Sequence, residues 1–172
     1  MQTILGAGGA IGVELAKALP EYTSEIRLVS RNPEKVNKTD KLFPADLTDP
    51  QQVDKAVKGS EIVYVTVGFP YDIKVWRRVW VPFIQSVIDA CKKHNAKLVF
   101  FDNVYMYDPT YMGNMTEDTP YRPVSKKGEI RKEVAEAIMK AVDEGSLTAL
   151  IARSADFLAA KNSIPVEAIT GK

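Results

Sequence analysis

The sequence predicts an α/β fold, a doubly wound parallel sheet with helices on both faces. Three observations carry that prediction. Short apolar segments alternate with segments of helical period along the whole chain. The stretch Glu61-Ile62-Val63-Tyr64-Val65-Thr66-Val67 is nearly all apolar and β-branched, the composition of a central parallel strand covered on both faces. The chain also opens with a strand that passes through Gly6, Gly8, Gly9 and Gly12 into a helix. Its 172 residues are enough for one domain with a substantial core.

Bulk composition excludes several function classes. The formal net charge is +1, with no electrostatic pull toward nucleic acid or a membrane surface. One cysteine, Cys91, cannot close an internal disulfide, which fits a reducing compartment. One histidine and one cysteine leave no metal site to expect. No apolar run approaches the roughly 20 residues of a membrane span. The chain enters a strand almost at once, without the basic and apolar regions of a signal peptide. The expectation is a soluble cytoplasmic protein.

The opening stretch Thr3-Ile4-Leu5-Gly6-Ala7-Gly8-Gly9-Ala10-Ile11-Gly12 carries the chemistry. Strand, glycine turn and helix in that order form the cradle a dinucleotide pyrophosphate needs. Gly6 makes the tight turn, and Gly8 and Gly9 let bare backbone approach a phosphate. Gly12 allows close packing of helix on strand. Amides of the first helical turn, at Ala10 and Ile11, then point at the anion. A plain strand–helix turn would show the same glycines, so the downstream context decides.

The first helix is expected over Ala10–Leu19, with Ile11, Leu15, Ala18 and Leu19 buried and Pro20 ending it. The next strand, Glu25–Val29, runs into Ser30-Arg31-Asn32-Pro33. An acidic residue at this point would bind a ribose 2′-hydroxyl; Ser30 and Arg31 stand there instead. A guanidinium holds a 2′-phosphate by bidentate, charge-assisted bonds, which favours NADP(H) over NAD(H). The plainer reading of Arg31 is a solvated surface arginine. A short strand around Leu42–Ala45 ends at Asp46-Leu47-Thr48-Asp49. Asp46 is placed either to meet an adenine amino group or to make local turn bonds. Asp49 caps a helix over Pro50–Lys58.

After Glu61–Val67, Gly68 lies at the strand's carboxyl end, where open α/β sheets bind ligands. Tyr71–Asn95 reads as a long helix, in two pieces if Pro82 breaks it. Its Trp76, Trp80, Phe83, Val87 and Ala90 repeat at helical spacing. Core packing is the favoured reading; a ligand-pocket wall and a dimer interface are the alternatives. His94 is expected in solvent at the helix end. The strand Lys97–Phe101 delivers Asp102, Asn103, Tyr105 and Tyr107 to the ligand side. A loop over residues 108–124 is long enough to be functional. Ser125 caps a helix that runs to Glu144, ended by Gly145, and Leu147–Ala152 forms the last strand.

These landmarks resemble the short-chain dehydrogenase/reductase superfamily, in its extended or atypical branch of NAD-dependent epimerase/dehydratase-like proteins. Gly6-x-x-Gly9-x-x-Gly12 is similar to that family's cofactor loop, and Ser30-Arg31 to its strand-end contact. Asp46-Leu47 resembles the adenine contact, and Thr66-Val67-Gly68 the contact after the fourth strand. Tyr105-Met106-Tyr107, Thr116-Glu117-Asp118-Thr119-Pro120, Pro123-x-Ser125 and Arg153-Ser154-Ala155-Asp156-Phe157 resemble later landmarks. The resemblance implies a Rossmann-like NAD(P)-binding domain over residues 1–157. Residues 158–172 would be a remnant, or the incomplete start, of a substrate-binding lobe. It implies an oxidoreductase or epimerase/dehydratase acting on a carbonyl or sugar-nucleotide-like small molecule, and a homodimer packed through helices. The catalytic positions depart from the family pattern of Ser, then Tyr-x-x-x-Lys. They fall on Asn103, Lys127 and Arg131. Asn103 could polarise a carbonyl and Arg131 bind ribose hydroxyls, while Tyr105, Tyr107 or Tyr121 could supply a phenol. Lys126, Lys127 and Arg131 read equally well as a solvated basic face. That departure leaves an alternative in view: a catalytically silent NADP(H)-binding sensor or partner-binding protein.

Overall fold

In the computed structural model, residues 1–155 are described. The segment 158–172, read from sequence as part of a second lobe, lies outside them, as do Asp156 and Phe157. The chain alternates β1 (Gln2–Leu5), α1 (Ala10–Ala18), β2 (Ile26–Ser30), β3 (Lys41–Pro44), α2 (Pro50–Val57) and β4 (Ile62–Val65). It continues with α3 (Ile73–His94), β5 (Lys97–Asp102), α4 (Lys126–Asp143) and β6 (Ala149–Arg153). The six strands are parallel in the order β3-β2-β1-β4-β5-β6. The doubly wound parallel sheet is therefore as the sequence predicts. The order reverses between β1 and β4, and the crevice over the carboxyl ends of these two strands is where such sheets place ligands.

Both faces of the sheet are covered. Residues of α2, α3 and α4 join β1, β4 and β5 in the larger core, around Val53, Trp80, Ile84, Phe100 and Ile138. On the opposite face α1 contributes Ala16 to a smaller cluster with Ile4, Leu19 and Leu28. The buried side of α1 differs from the expected one: Gly12 and Ala16 face the sheet, Ile11 and Leu15 are half-buried, and Ala18 is exposed. Small residues at i and i+4 let this helix lie close to its strands.

Caps fix the helix starts. Asp49 Oδ1 accepts from Gln51 N at 2.8 Å, Asp72 Oδ1 from Lys74 N at 2.8 Å, and Ser125 Oγ from Gly128 N at 3.0 Å. α3 is one continuous helix through Pro82. Pro82 is exposed, so the break in the helix's hydrogen-bond ladder falls at a residue on the solvent side rather than in the core. His94 is also not in solvent: its side chain is half-buried and Nε2 lies 2.9 Å from Asp54 Oδ1, tying α3 to α2. Trp76 and Trp80 are 5% and 3% exposed within this one chain, which removes the dimer-interface reading for them.

Candidate functional site

The glycine loop is shaped by backbone contacts that no side chain could share. Gly6 holds φ +95°, a conformation L side chains rarely adopt. A Cβ on Gly12 would meet Gly6 O at 2.7 Å and Ala7 Cα at 2.9 Å. Gly12 therefore seats α1 against the end of β1. A Cβ on Gly8, by contrast, would meet nothing within 4 Å, so this part of the loop faces open space. The amides of Ala10, Ile11 and Gly12 have no backbone acceptor among the described residues. Three donors at a helix N-terminus thus converge beside open space, the arrangement that holds an anion.

Two cavities meet over this loop, sharing Gly9, Val67, Gly68 and Phe69 in their walls. One, of about 490 Å³, extends over β2 and β3 past Ser30, Arg31, Asp46, Leu47 and Thr48. The other, of about 340 Å³, extends over β4 and β5 past Thr66, Asp102, Asn103 and Arg131. An extended two-part ligand with its anionic centre at the loop fits this groove. Thr66 braces the junction, donating from Oγ1 to Leu5 O at 3.2 Å, with Gly6 O at 3.3 Å. Buried polar atoms await partners at both ends. Ser30 Oγ, Trp76 Nε1 and Trp80 Nε1 have no hydrogen-bond partner among the described residues.

The cavity over β2 and β3 contains Arg31, exposed, and Asp46. Asp46 makes the turn bonds foreseen as one of its two readings: Oδ1 accepts from Thr48 N at 2.9 Å and from Thr48 Oγ1 at 2.8 Å. Those two donors hold its carboxyl below the usual carboxylate range, with Arg31 adding to the effect. It remains in the cavity wall as an anion.

The cavity over β4 and β5 has a buried charged floor. Asp102 ends β5, fully buried, and Arg131 on α4 is 3% exposed. Asp102 Oδ1 accepts from Arg131 Nε at 2.7 Å, from Arg131 Nη2, and from Asn103 N at 2.7 Å. The guanidinium lies over Trp80 at 4.2 Å from the ring centre and over Phe100 at 5.0 Å. Burial pushes the Asp102 carboxyl up, and Arg131 opposes the shift. The solvated-face reading of Arg131 is therefore overturned. A second arginine, Arg153, stands with Nε 4.0 Å from Asp102 Oδ2. It donates to Tyr107 Oη at 2.7 Å and to Tyr121 Oη.

The sequence-predicted catalytic candidates separate into different places. Asn103 lines the β4–β5 cavity, and its Oδ1 accepts from Tyr105 N at 3.0 Å. Tyr107 is buried against Tyr121 under Arg153. Lys127 and Tyr105 line a different cavity, of about 380 Å³, with Tyr71, Ile73, Ser125 and Lys126. There Lys127 Nζ donates to Tyr71 O at 3.1 Å and sits 2.7 Å from the Tyr71 ring centre. It pins the segment after β4 to the start of α4. Trp76 and Trp80 unite two of the readings, since both are core residues and both wall the β4–β5 cavity. Arg78 and Phe69 line the groove without having been assigned to the site from sequence, and Asp102, expected on the ligand side, lines it without a role having been foreseen. The available signal was an acidic residue closing the apolar strand Lys97-Leu98-Val99-Phe100-Phe101-Asp102.

No helix among the described residues is long and apolar enough to cross a membrane. Among those residues no three His, Cys, Asp or Glu side chains are grouped to hold a metal ion.

The chain is similar to known proteins in sequence and in fold. A family model for NAD(P)H-binding proteins matches residues 6–143. A curated relative, short-chain dehydrogenase/reductase family 42E member 1 of Danio rerio, is 27% identical over 131 residues, covering 70% of this chain and 34% of its own length. A short-chain dehydrogenase/reductase superfamily protein from Agrobacterium tumefaciens, solved with bound NAD, superposes with a TM-score of 0.77 at 22% identity. The match covers 89% of this chain and 48% of that one. A UDP-galactose 4-epimerase structure superposes with a TM-score of 0.76 at 20% identity, over 89% of this chain and 55% of its own. The chain thus spans about a third of the curated relative and about half of these structures. It belongs to the NAD(P)H-binding family, and it is similar in sequence to a short-chain dehydrogenase/reductase and in fold to the solved structures above.

Proposed function

We propose that this chain forms the cofactor-binding part of an NADP(H)-dependent oxidoreductase or epimerase/dehydratase-like enzyme with a non-standard active site. The observation that carries the reading is the continuous groove over Gly9. Bare amides lie at its centre, Ser30 and Arg31 at one end, and Asn103 and Arg131 at the other. The amides of Ala10, Ile11 and Gly12 would hold the pyrophosphate. Ser30 and Arg31 would hold the adenosine ribose and its 2′-phosphate, with Asp46 and Leu47 beside the adenine. Thr66, Val67 and Gly68 form the opposite wall. When bound, the nicotinamide supplies hydride transfer.

Arg131 is committed to Asp102, so its role is to orient ribose hydroxyls rather than to exchange a proton. Asn103 lines this cavity, which supports its amide as the group that would polarise a substrate carbonyl. Tyr105 and Tyr107 are the phenols carried by the segment after β5. The substrate is a small molecule, a carbonyl compound or one resembling a sugar nucleotide. A cytoplasmic setting fits the single cysteine, Cys91, which is free and buried.

Replacing Arg31 tests the cofactor assignment. A lost charge-assisted contact is worth about 1.5–3 kcal/mol, or about 10- to 150-fold in affinity. Arg31→Ala should weaken NADPH by that factor and leave NADH nearly unchanged. Equal losses for both cofactors would show that Arg31 does not read the phosphate.

A further inference from the structure

One feature of the adenosine-side cavity is left over by this assignment: a second guanidinium from a different element. Val75, Arg78 and Val79 of α3 all line that cavity. They stand at i, i+3 and i+4, one face of the helix. The next face, with Trp76 and Trp80, walls the nicotinamide-side cavity instead. α3 thus flanks both halves of the groove, and the charge it places in the groove, Arg78, is on the adenosine side.

Charge balance gives Arg78 a task. Three charged residues line this cavity: Arg31, Asp46 and Arg78. Arg31 and Asp46 alone would cancel, and Asp46 stays ionised because Thr48 donates twice to it. A phosphate monoester carries about −1.5 to −2 charge at neutral pH. One arginine offset by a neighbouring carboxylate is a poor host for that charge. Two arginines against one carboxylate leave the wall net positive. Neither guanidinium lies within hydrogen-bond or ion-pair distance of a partner among the described residues. Both are exposed, so neither needs to leave an existing bond to take a ligand.

We propose that Arg78, from α3, is a second specificity-determining residue for the cofactor's 2′-phosphate, acting with Arg31 from the end of β2. The inference rests on the NADP(H) reading above. It adds that discrimination against NADH is shared across the groove rather than held at the β2 end alone. Because Arg78 sits on the helix that also carries Trp76 and Trp80, phosphate contact on one side would steady the wall of the nicotinamide side.

The test uses the full 172-residue chain with NADPH, NADH and 2′,5′-ADP as probes, titrated against wild type, Arg78→Gln and Arg78→Lys. Arg78→Gln should weaken NADPH and 2′,5′-ADP by about 10-fold or more and NADH by less than about two-fold. Arg78→Lys, which keeps the charge, should recover part of the loss. Equal weakening of NADPH and NADH would overturn the proposal by moving Arg78 to the pyrophosphate. Unchanged affinity for all three probes would overturn it as well. Wild-type protein that prefers NADH would sink the parent reading together with this one, whereas NADPH preference with an indifferent Arg78 would sink only this one.

Discussion

Removing the charge of Asp102 is the sharpest stability test of this fold. Asp102→Asn keeps the size and shape of the side chain and leaves two guanidinium groups without their anion. The magnitude follows from burial. The Asp102 side chain is 0% exposed and that of Arg131 3%, so water screens neither. Breaking such a pair by removing one partner costs about 3–5 kcal/mol, because the surviving charge stays desolvated. Arg153 adds little, being 4.0 Å away and 15% exposed. For a chain of this length about 2–4 °C of melting temperature accompanies each kcal/mol, giving a drop of about 6–20 °C. Circular dichroism melts of Asp102→Asn, Arg131→Met and the double variant provide the assay. The double variant should lose clearly less than the sum of the singles, since it removes both buried charges. A single-variant loss below about 1 kcal/mol, or additivity within about 0.5 kcal/mol, would refute the reasoning.

Two further outcomes are expected. Gly12→Val places a side chain against Gly6 O and Ala7 Cα, both backbone, so α1 must move off β1; overpacking of this kind costs about 1–3 kcal/mol and should abolish binding of both cofactors, whereas unchanged affinity would mean the loop is not the anion cradle. The Cys91 thiol is pushed up to about 12 by burial, so it stays protonated at pH 8; a thiol reagent should leave the native chain unlabelled and label it fully in denaturant, and rapid native labelling would contradict its burial.

Much of the sheet was legible because each strand is a local apolar run bounded by turn residues. Errors arose where a long-range partner or a solvent boundary decides. Thr66 and Val67 extend a β-branched run, yet β4 closes at Val65, and Thr66 braces the glycine loop instead. Pro82 looked like a break, but it lies on the solvent side of α3, where a lost backbone bond costs little. His94 finds Asp54 forty residues away, a pairing that no local pattern displays. Arg131 falls in the basic run Lys126-Lys127-Gly128-Glu129-Ile130-Arg131-Lys132, which resembles a solvated face; only the fold brings Asp102 beneath it. The glycine cradle was readable because its chemistry is contiguous in sequence. The pairing of Asp102 with Arg131 that makes the charged floor was not, because β5 and α4 each supply one half of it.

The account depends most on the amides at the start of α1 facing a ligand's pyrophosphate. Calorimetric titration of the intact chain with NADPH and with NADH measures this directly. Saturable one-site binding of both, tighter for NADPH, is the predicted result. Flat titrations with both nucleotides would contradict it.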